Sequence, residues 1–327
     1  MSCERFAISL LLLGLAAAMT ISMSDANAQN YPGRPVRMIV PYPAGGGTDI
    51  ISRMVAHKLG EKWGQQVIVD NRGGANGIIG TDLAAKAKPD GYTFVVVIAT
   101  QAINPALYPK LPYNSDTDLI PVTLMAQYPF ILTVHPSVPA NTPRDFIALA
   151  KKRPGEMSYA SSGNGSGPHL GFELFKSTAG INVVHVPYKG AGPANVELMS
   201  GQVQAFFNNV LAARPHIDSR RMRVLAVTSA RRSPAMPEVR TLAESGLPGF
   251  DVTGWYGVLV PAGTPTAIVT KIQTDIAAVL QAPDIASKLS SEGAEPVASN
   301  SAHFAKFLQS ETQKWAKVVS TAGIKLD

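Results

Sequence analysis

Three consecutive glycines run into a hydroxyl and a carboxylate at Gly45-Gly46-Gly47-Thr48-Asp49 of this 327-residue chain, a run that could hold an anion. Without a Cβ, glycine lets a ligand approach backbone N–H groups closely. A helix starting just after such a loop adds the positive end of its dipole. The chemistry this allows is reversible binding of a carboxylate or phosphate. The stretch Val36 to Trp63 supplies the elements: a buried strand Val36–Val40, a Pro/Gly loop Pro41–Gly47 that includes Tyr42 and Ala44, and a helix opening at Thr48 or Asp49. Thr48 suits its N-cap and Asp49 its first turn. Ile50, Met54, Val55 and Leu59 recur at helical spacing and form a core-facing stripe. The same strand–loop–helix turn also occurs in α/β proteins for packing alone. The loop lacks the Gly-Lys-Ser/Thr of a P-loop and the pattern G-x-G-x-x-G.

Further neutral donors stand at the ends of other expected strands. Tyr92 to Ala99 is a near-continuous β-branched run suited to a strand buried on both faces, and it ends at Thr100-Gln101. In open α/β sheets, ligands bind at the carboxyl ends of the strands. The Ser/Gly loop Ser161–Pro168 offers Ser161, Ser162, Gly163, Asn164 and Ser166, and His169 follows at a helix start, where it donates to an anion or caps and packs. Asn208 closes the strand Val203–Phe207. Several such bonds, at about 0.5–1.5 kcal/mol each and somewhat more to a charged acceptor, reach micromolar affinity. No cofactor or metal is required.

Catalytic constellations are absent from the sequence pattern: there is no G-x-S-x-G, H-E-x-x-H, C-x-x-C or paired-carboxylate motif. The six histidines are spread along the chain, and no catalytic residue is assigned. A Ser-His-Asp triad has members far apart in sequence, so motif spacing alone leaves a secreted hydrolase or transferase as the rival reading.

Strand–loop–helix units repeat. The second is Gln66–Asn71, Gly73–Gly77 and a helix from Ile79 to Lys86; a later one is Met157–Ala160, the Ser/Gly loop and a helix from His169 to Thr178. Another runs Asn182–Pro187, Tyr188–Gly192 and Pro193–Ser200. Asn104-Pro105 reads as loop, Leu242 to Pro248 as a short helix and turn, and Thr142–Arg153 as a helix with Thr142 at its N-cap and Pro143 at N1. Two extended stretches, Pro121–Val134 and Val252–Val260, read as crossings between lobes. The order predicts two α/β lobes with a glycine-rich loop of each turned to a shared cleft.

Arg5, an apolar run Phe6 to Met19 and the small-x-small triplet Ala26-Asn27-Ala28 form an export signal covering 1–28. Cys3, the only cysteine, leaves with it, so no disulfide is expected in the mature chain. The formal charge is +6, with basic residues too scattered for a nucleic-acid stripe, and no nucleic-acid partner is expected.

PGRPVRMIVPYPAGGGTD, SGNGSGPHL, VPYKGAG, LAVTSARRSPAMPEVRTLAESG and GWYGVLVPAGTP, in that order, resemble the Bug family, the extracytoplasmic solute receptors of tripartite tricarboxylate transporters. The resemblance runs from about Tyr31 to the C-terminus. It implies an α/β fold of the type II periplasmic-binding-protein kind: two lobes with mostly parallel sheets around a ligand cleft. Lobe 1 is expected over 29–130 plus 253–327 and lobe 2 over 131–252. It further implies that the loop Tyr42–Asp49 holds a carboxylate through backbone amides, and that Ser161–His169 and Lys189-Gly190 supply the second-lobe contacts. Where many relatives have an acidic residue, this chain has Asn208-Asn209, which points to a ligand without an amine: a plain dicarboxylate or an aromatic acid. The implied partners are membrane transporter subunits, the implied compartment the periplasm and the expected state a monomer. A receptor that presents its ligand to a membrane sensor fits the same residues.

Overall fold

The computed structural model describes residues 31–291 and 293–324. The expected signal peptide, 1–28, lies outside the described residues.

The first unit forms as its residues dictate. β1 (Val36–Val40) is buried, and α1 (Gly47–Trp63) follows it, ending on left-handed Gly64. β2 (Val67–Asn71) and β3 (Thr93–Val97) pair parallel with β1 on either side. A 3-10 turn, Ala75–Gly77, leads into α2 (Ile78–Ala85). β4 (Leu119–Val134) is the long crossing. It pairs antiparallel with β9 (Thr253–Pro261) over Leu119–Pro129, then with β7 (Ala205–Asn209) over Phe130–Val134. β5 (Ser158–Ser161) pairs parallel with β6 (Val184–Pro187) and with β7. β8 (Arg223–Val227) and β10 (Glu295–Pro296) attach antiparallel to β4. The result is one ten-stranded sheet with the path β2-β1-β3-β9-β4-β7-β5-β6. The expected two lobes are its two ends, joined through β4 and β9.

The sheet is mixed rather than mostly parallel. Strands that belong to strand–helix units run parallel, because a crossover helix brings the chain back to the same end. The two crossing strands run against them, because each carries the chain from one half to the other.

The remaining helices are α3 (Thr100–Leu107), α4 (Pro143–Lys152), α5 (Gly167–Ala179), α6 (Ala191–Ser200), α7 (Val210–Asp218), α8 (Thr266–Leu280), α9 (Pro283–Ser291) and α10 (Ser301–Ala322). Thr142 caps α4 in a full capping box with Asp145, as its sequence requires. Two local expectations are corrected. The Thr100–Pro105 segment is helical, because burial of Ala102, Ile103 and Leu107 outweighs the backbone bond that Pro105 cannot donate. Leu242–Pro248 forms turns without a helix. α7 carries an internal Pro215 and was not foreseen.

The largest apolar cluster runs from Ile39 and Val95 in one half through Leu132 and Phe207 in the other, and takes in Phe304 and Trp315 of α10. Buried Glu311 accepts from both Trp255 Nε1 (3.3 Å) and Trp315 Nε1 (3.0 Å), fixing α10 against β9. α10 packs on α3, β4 and α5. No helix among the described residues is long and apolar enough to cross a membrane.

Candidate functional site

A cavity of about 480 Å³ lies between the two halves. Its size suits a small organic molecule. β1, β3, β5, β6 and β7 all end beside it, and the helix that follows each strand begins there. Gly46 to Thr48 open α1, Ala99-Thr100 open α3, Ser166 to Pro168 open α5, Ala191 opens α6, and Asn209 and Ala212 frame the first turn of α7. Five helix N-termini therefore meet one space, from both ends of the sheet. Each brings the partial positive charge of its first turn, with part of its N–H groups already held: Ser166 accepts from His169 N in α5, Asn209 from Ala212 N in α7, and the Ile98 carbonyl from Gln101 N in α3. Among the described residues, no Lys, Arg, His, Asp or Glu lines the cavity. The polar groups an anion meets here are neutral: backbone amides, hydroxyls and the Asn209 side chain.

The N-cap of α1 is Gly46, not Thr48, and it makes no side-chain capping bond. The helix begins two residues early, at Gly47, which puts Asp49 in its first turn. The Asp49 carboxylate accepts from Gly45 N (2.9 Å), Arg53 Nε (3.0 Å) and Asn71 Nδ2 (2.9 Å). Burial pushes its pKa up, but the Arg53 guanidinium and the Gly45 and Asn71 donors outweigh this and hold it below the ordinary value. Gly45 sits at φ 83°, a left-handed turn that favours glycine and is closed by this bond. Asp49 thus shapes the loop from behind, while the helix end stays open to the cavity.

Tyr42 and Thr100 share a hydrogen bond of 2.7 Å in the wall. Burial raises the Tyr42 pKa, so it remains a neutral donor. Among the described residues, the Thr48 and Ser162 hydroxyls have no protein partner. Ser166 caps α5, accepting from His169 N at 3.4 Å.

Of the residues singled out in the sequence, Tyr42, Gly45, Gly46, Gly47, Thr48, Thr100, Ser162 and Ser166 are in the wall, and the others are not. Ala44 is at the exposed tip of the loop and Lys189 is exposed. Gly190 is the N-cap of α6, one residue short of the wall. Gln101 turns away from the cavity, toward Tyr113. Asn208 is buried against Asn195 (2.6 Å), and its neighbour Asn209 takes the wall position because side chains alternate along β7. Asn164 lies outside and reaches Asn76 of the other half (3.1 Å).

Ser161, Gly163 and His169 support the second loop from beneath. His169 Nδ1 accepts from Gly165 N at 3.1 Å, and its ring stacks on His185 at 3.8 Å. His185 Nε2 meets Ser161 Oγ at 2.7 Å, and Ser161 Oγ in turn bonds Gly163. Burial pushes His169 down to about 4 and, with the neighbouring His169, His185 down to about 3. Ser161 and His185 are thus paired as a nucleophile and base would be, but Ser161 is fully buried and faces its own loop rather than the cavity.

The apolar floor escaped sequence reasoning. Tyr128 and Phe130 of β4, Tyr256 and Gly254 of β9, Phe206, Ile50 and Ile98 form it. Tyr128 packs on Tyr256 at 5.1 Å and edge-on to Phe130 at 5.7 Å. The available signal was the aromatic pairs Tyr128/Phe130 and Trp255-Tyr256 on the two crossing strands. Alternation places Tyr256 in the cavity and Trp255 in the core.

A two-lobed α/β fold with a ligand-sized cavity between its halves defines a solute-binding protein. The tripartite tricarboxylate transporter family receptor model matches residues 51–324, and the chain belongs to that family. BugT of Bordetella pertussis is 38% identical over 319 residues, covering 97% of this chain and 98% of the relative. The structure of R. palustris Rpa4515 with adipate superposes with a TM-score of 0.81 at 38% identity, covering 90% of this chain and 99% of that one. MatC from Rhodopseudomonas palustris with bound malate superposes with a TM-score of 0.77 at 30% identity, covering 88% and 100%. The protein is thus a solute-binding receptor of an extracytoplasmic family.

Proposed function

We propose that this receptor captures a small dicarboxylate with an apolar middle, without chemical turnover, and delivers it to the membrane subunits of a tripartite transporter. One observation carries the reading: five helix N-termini converge on a cavity whose wall holds no ionised side chain. The α1 and α3 ends, with Tyr42 and Thr48, take one carboxylate. The α5, α6 and α7 ends, with Ser162, Ser166 and Asn209, take the other. The aromatic floor accepts the carbon chain between them. Closure excludes water and strengthens every donor bond. Adipate and malate, each with two carboxylates, occupy two similar structures, in keeping with this. The protein works as a monomer in the periplasm after cleavage near Ala28.

A second reading, an aromatic monocarboxylate, is favoured by Tyr128, Phe130, Phe206 and Tyr256 on the floor. A thermal-shift panel of mono-, di- and tricarboxylates, aliphatic and aromatic, separates the two, since stabilisation grows with concentration over Kd. Dicarboxylates shifting the Tm most is the expected result. A flat response to every acid overturns the reading, and so does release of a changed product.

A further inference from the structure

Residues 214–240 contain seven arginines, no lysine and two acidic residues, so this short segment alone carries five of the chain's six net positive charges. It folds into the part of α7 beyond its cavity-framing first turn, into β8 and into the loop after β8, and none of its residues lines the cavity. Arg214, Arg220, Arg221, Arg231, Arg232 and Arg240 are all exposed. Some are engaged: Arg214 bonds Ala235 O (3.3 Å) and pairs with Asp218 (3.6 Å), and Arg232 grips Glu244 through both carboxylate oxygens (3.1 and 3.0 Å). Among the described residues, the Arg220 and Arg221 guanidinium groups have no protein partner.

A groove of about 560 Å³ runs beside them, between α7 and the segments around 222–224 and 236–239. Its floor is apolar: Ile217, Met222, Val224, Met236 and Val239 are the outer edge of the third hydrophobic cluster. Its rim carries Arg214 and Arg220. Arg223 is fixed in the wall, donating to the carbonyls of Ala140 (2.9 Å) and Val138 (3.3 Å). An apolar trough edged by guanidinium forks matches a ligand that presents apolar side chains flanked by carboxylates.

We propose that this groove docks an acidic peptide segment anchored by apolar side chains, presented by the membrane partner of the receptor. That the partner sits in the membrane rests on the preceding reading; the peptide preference rests on the groove alone. Peptide is favoured over an anionic lipid surface because the site is concave. Asp218, paired with Arg214, and Glu238 also stand on its rim, where they disfavour a uniformly negative plane.

The probe is a fluorescein-labelled peptide with two leucines flanked by glutamates, followed by anisotropy. It should bind wild type, weaken with salt, and bind Arg220→Glu/Arg221→Glu about tenfold or more worse. Ile217→Asp should lose it as well; should that variant not fold, the exposed arginine pair decides alone. Both variants should keep the carboxylate-induced thermal shift of wild type. Equal affinity for wild type and the arginine variant overturns the proposal. So do equal binding of a lysine-for-glutamate peptide, arginine-dependent binding of phosphatidylglycerol vesicles but not of peptide, and a dimer that the arginine variant disrupts. A thermal-shift panel that stays flat in wild type counts against the carboxylate reading instead and leaves the peptide result standing.

Discussion

Asn76 donates its side-chain amide to the Asn164 carbonyl at 3.1 Å, joining the loop between β2 and α2 to the loop between β5 and α5. Asn76 is held at φ 52° and ψ 32°, a left-handed conformation that asparagine tolerates better than most residues. Asn104 Nδ2 donates to its carbonyl at 3.1 Å. On the facing side, Gly165 leaves the space: a Cβ there would lie 2.5 Å from Asn76 Nδ2. This bond clasps the two halves beside the cavity, so any separation of the halves breaks it.

Asn76→Gly removes the clasp without straining the backbone. One hydrogen bond of about 0.5–1.5 kcal/mol is lost from the closed form only, so affinity for the best acid of the panel should fall roughly two- to tenfold. Isothermal titration calorimetry reads this. Unchanged affinity would show that closure does not depend on the bond.

Gly46→Asp tests the open end of α1. Gly46 has φ −77° and ψ 164°, an ordinary N-cap conformation, and a Cβ there meets nothing closer than Pro43 O at 3.6 Å. The new carboxylate should cap the helix in place of a ligand carboxylate. The unliganded Tm should hold or rise slightly, since the gain over glycine at an N-cap is only a few tenths of a kcal/mol. Carboxylate binding should fall about a hundredfold. Wild-type affinity in a folded variant would remove α1 from the site.

Gly254→Ala tests the floor. A Cβ at this position would lie 2.2 Å from the Tyr128 ring, which is itself packed on Tyr256. The ring must move, at a cost of about 1–3 kcal/mol, and the floor changes shape with it. Chemical denaturation should show the stability loss, and the ranking of acids in the thermal-shift panel should change. A stable variant with the wild-type ranking would contradict the packing described.

The stacked histidines make stability depend on pH. In the unfolded chain both titrate near 6.5, whereas burial holds His169 at about 4 and His185 at about 3 in the fold. Between these limits the unfolded state binds more protons, so stability falls as pH drops from about 6.5 toward 4. His185→Gln keeps a side chain able to bond Ser161 and should flatten the fall. Thermal unfolding across this range measures it, and identical slopes in the two proteins would refute the assignment. Asp49 acts in a lower window: its depressed pKa contributes stability that is lost only as pH falls through that value.

Much of this was readable in one dimension. The run Val36–Val40, three glycines and the stripe Ile50, Met54, Val55, Leu59 specify a strand, a loop and a helix locally, because apolar period and chain flexibility are local properties, but the face that is buried is Ile51, Val55 and Leu59, and Ile50 turns to the cavity. The capping box at Thr142 and Asp145 is of the same kind. Neutral-donor loops after successive strands were likewise enough to foresee a cleft lined by glycines and hydroxyls from both halves. What the sequence could not decide is which neighbour in a pair faces the ligand. Asn209 rather than Asn208, and Tyr256 rather than Trp255, enter the cavity because pairing register sets which face of a strand is buried, and register depends on partners far along the chain. The same holds for Asp49, Ser161 and His169, whose roles behind the loops follow from Arg53, His185 and Gly165 coming within bonding distance. The sequence determined the elements and the kind of donor. The tertiary structure decided which helix ends converge and which side chains stand behind them, because contacts between distant segments exist only once the sheet has brought them together.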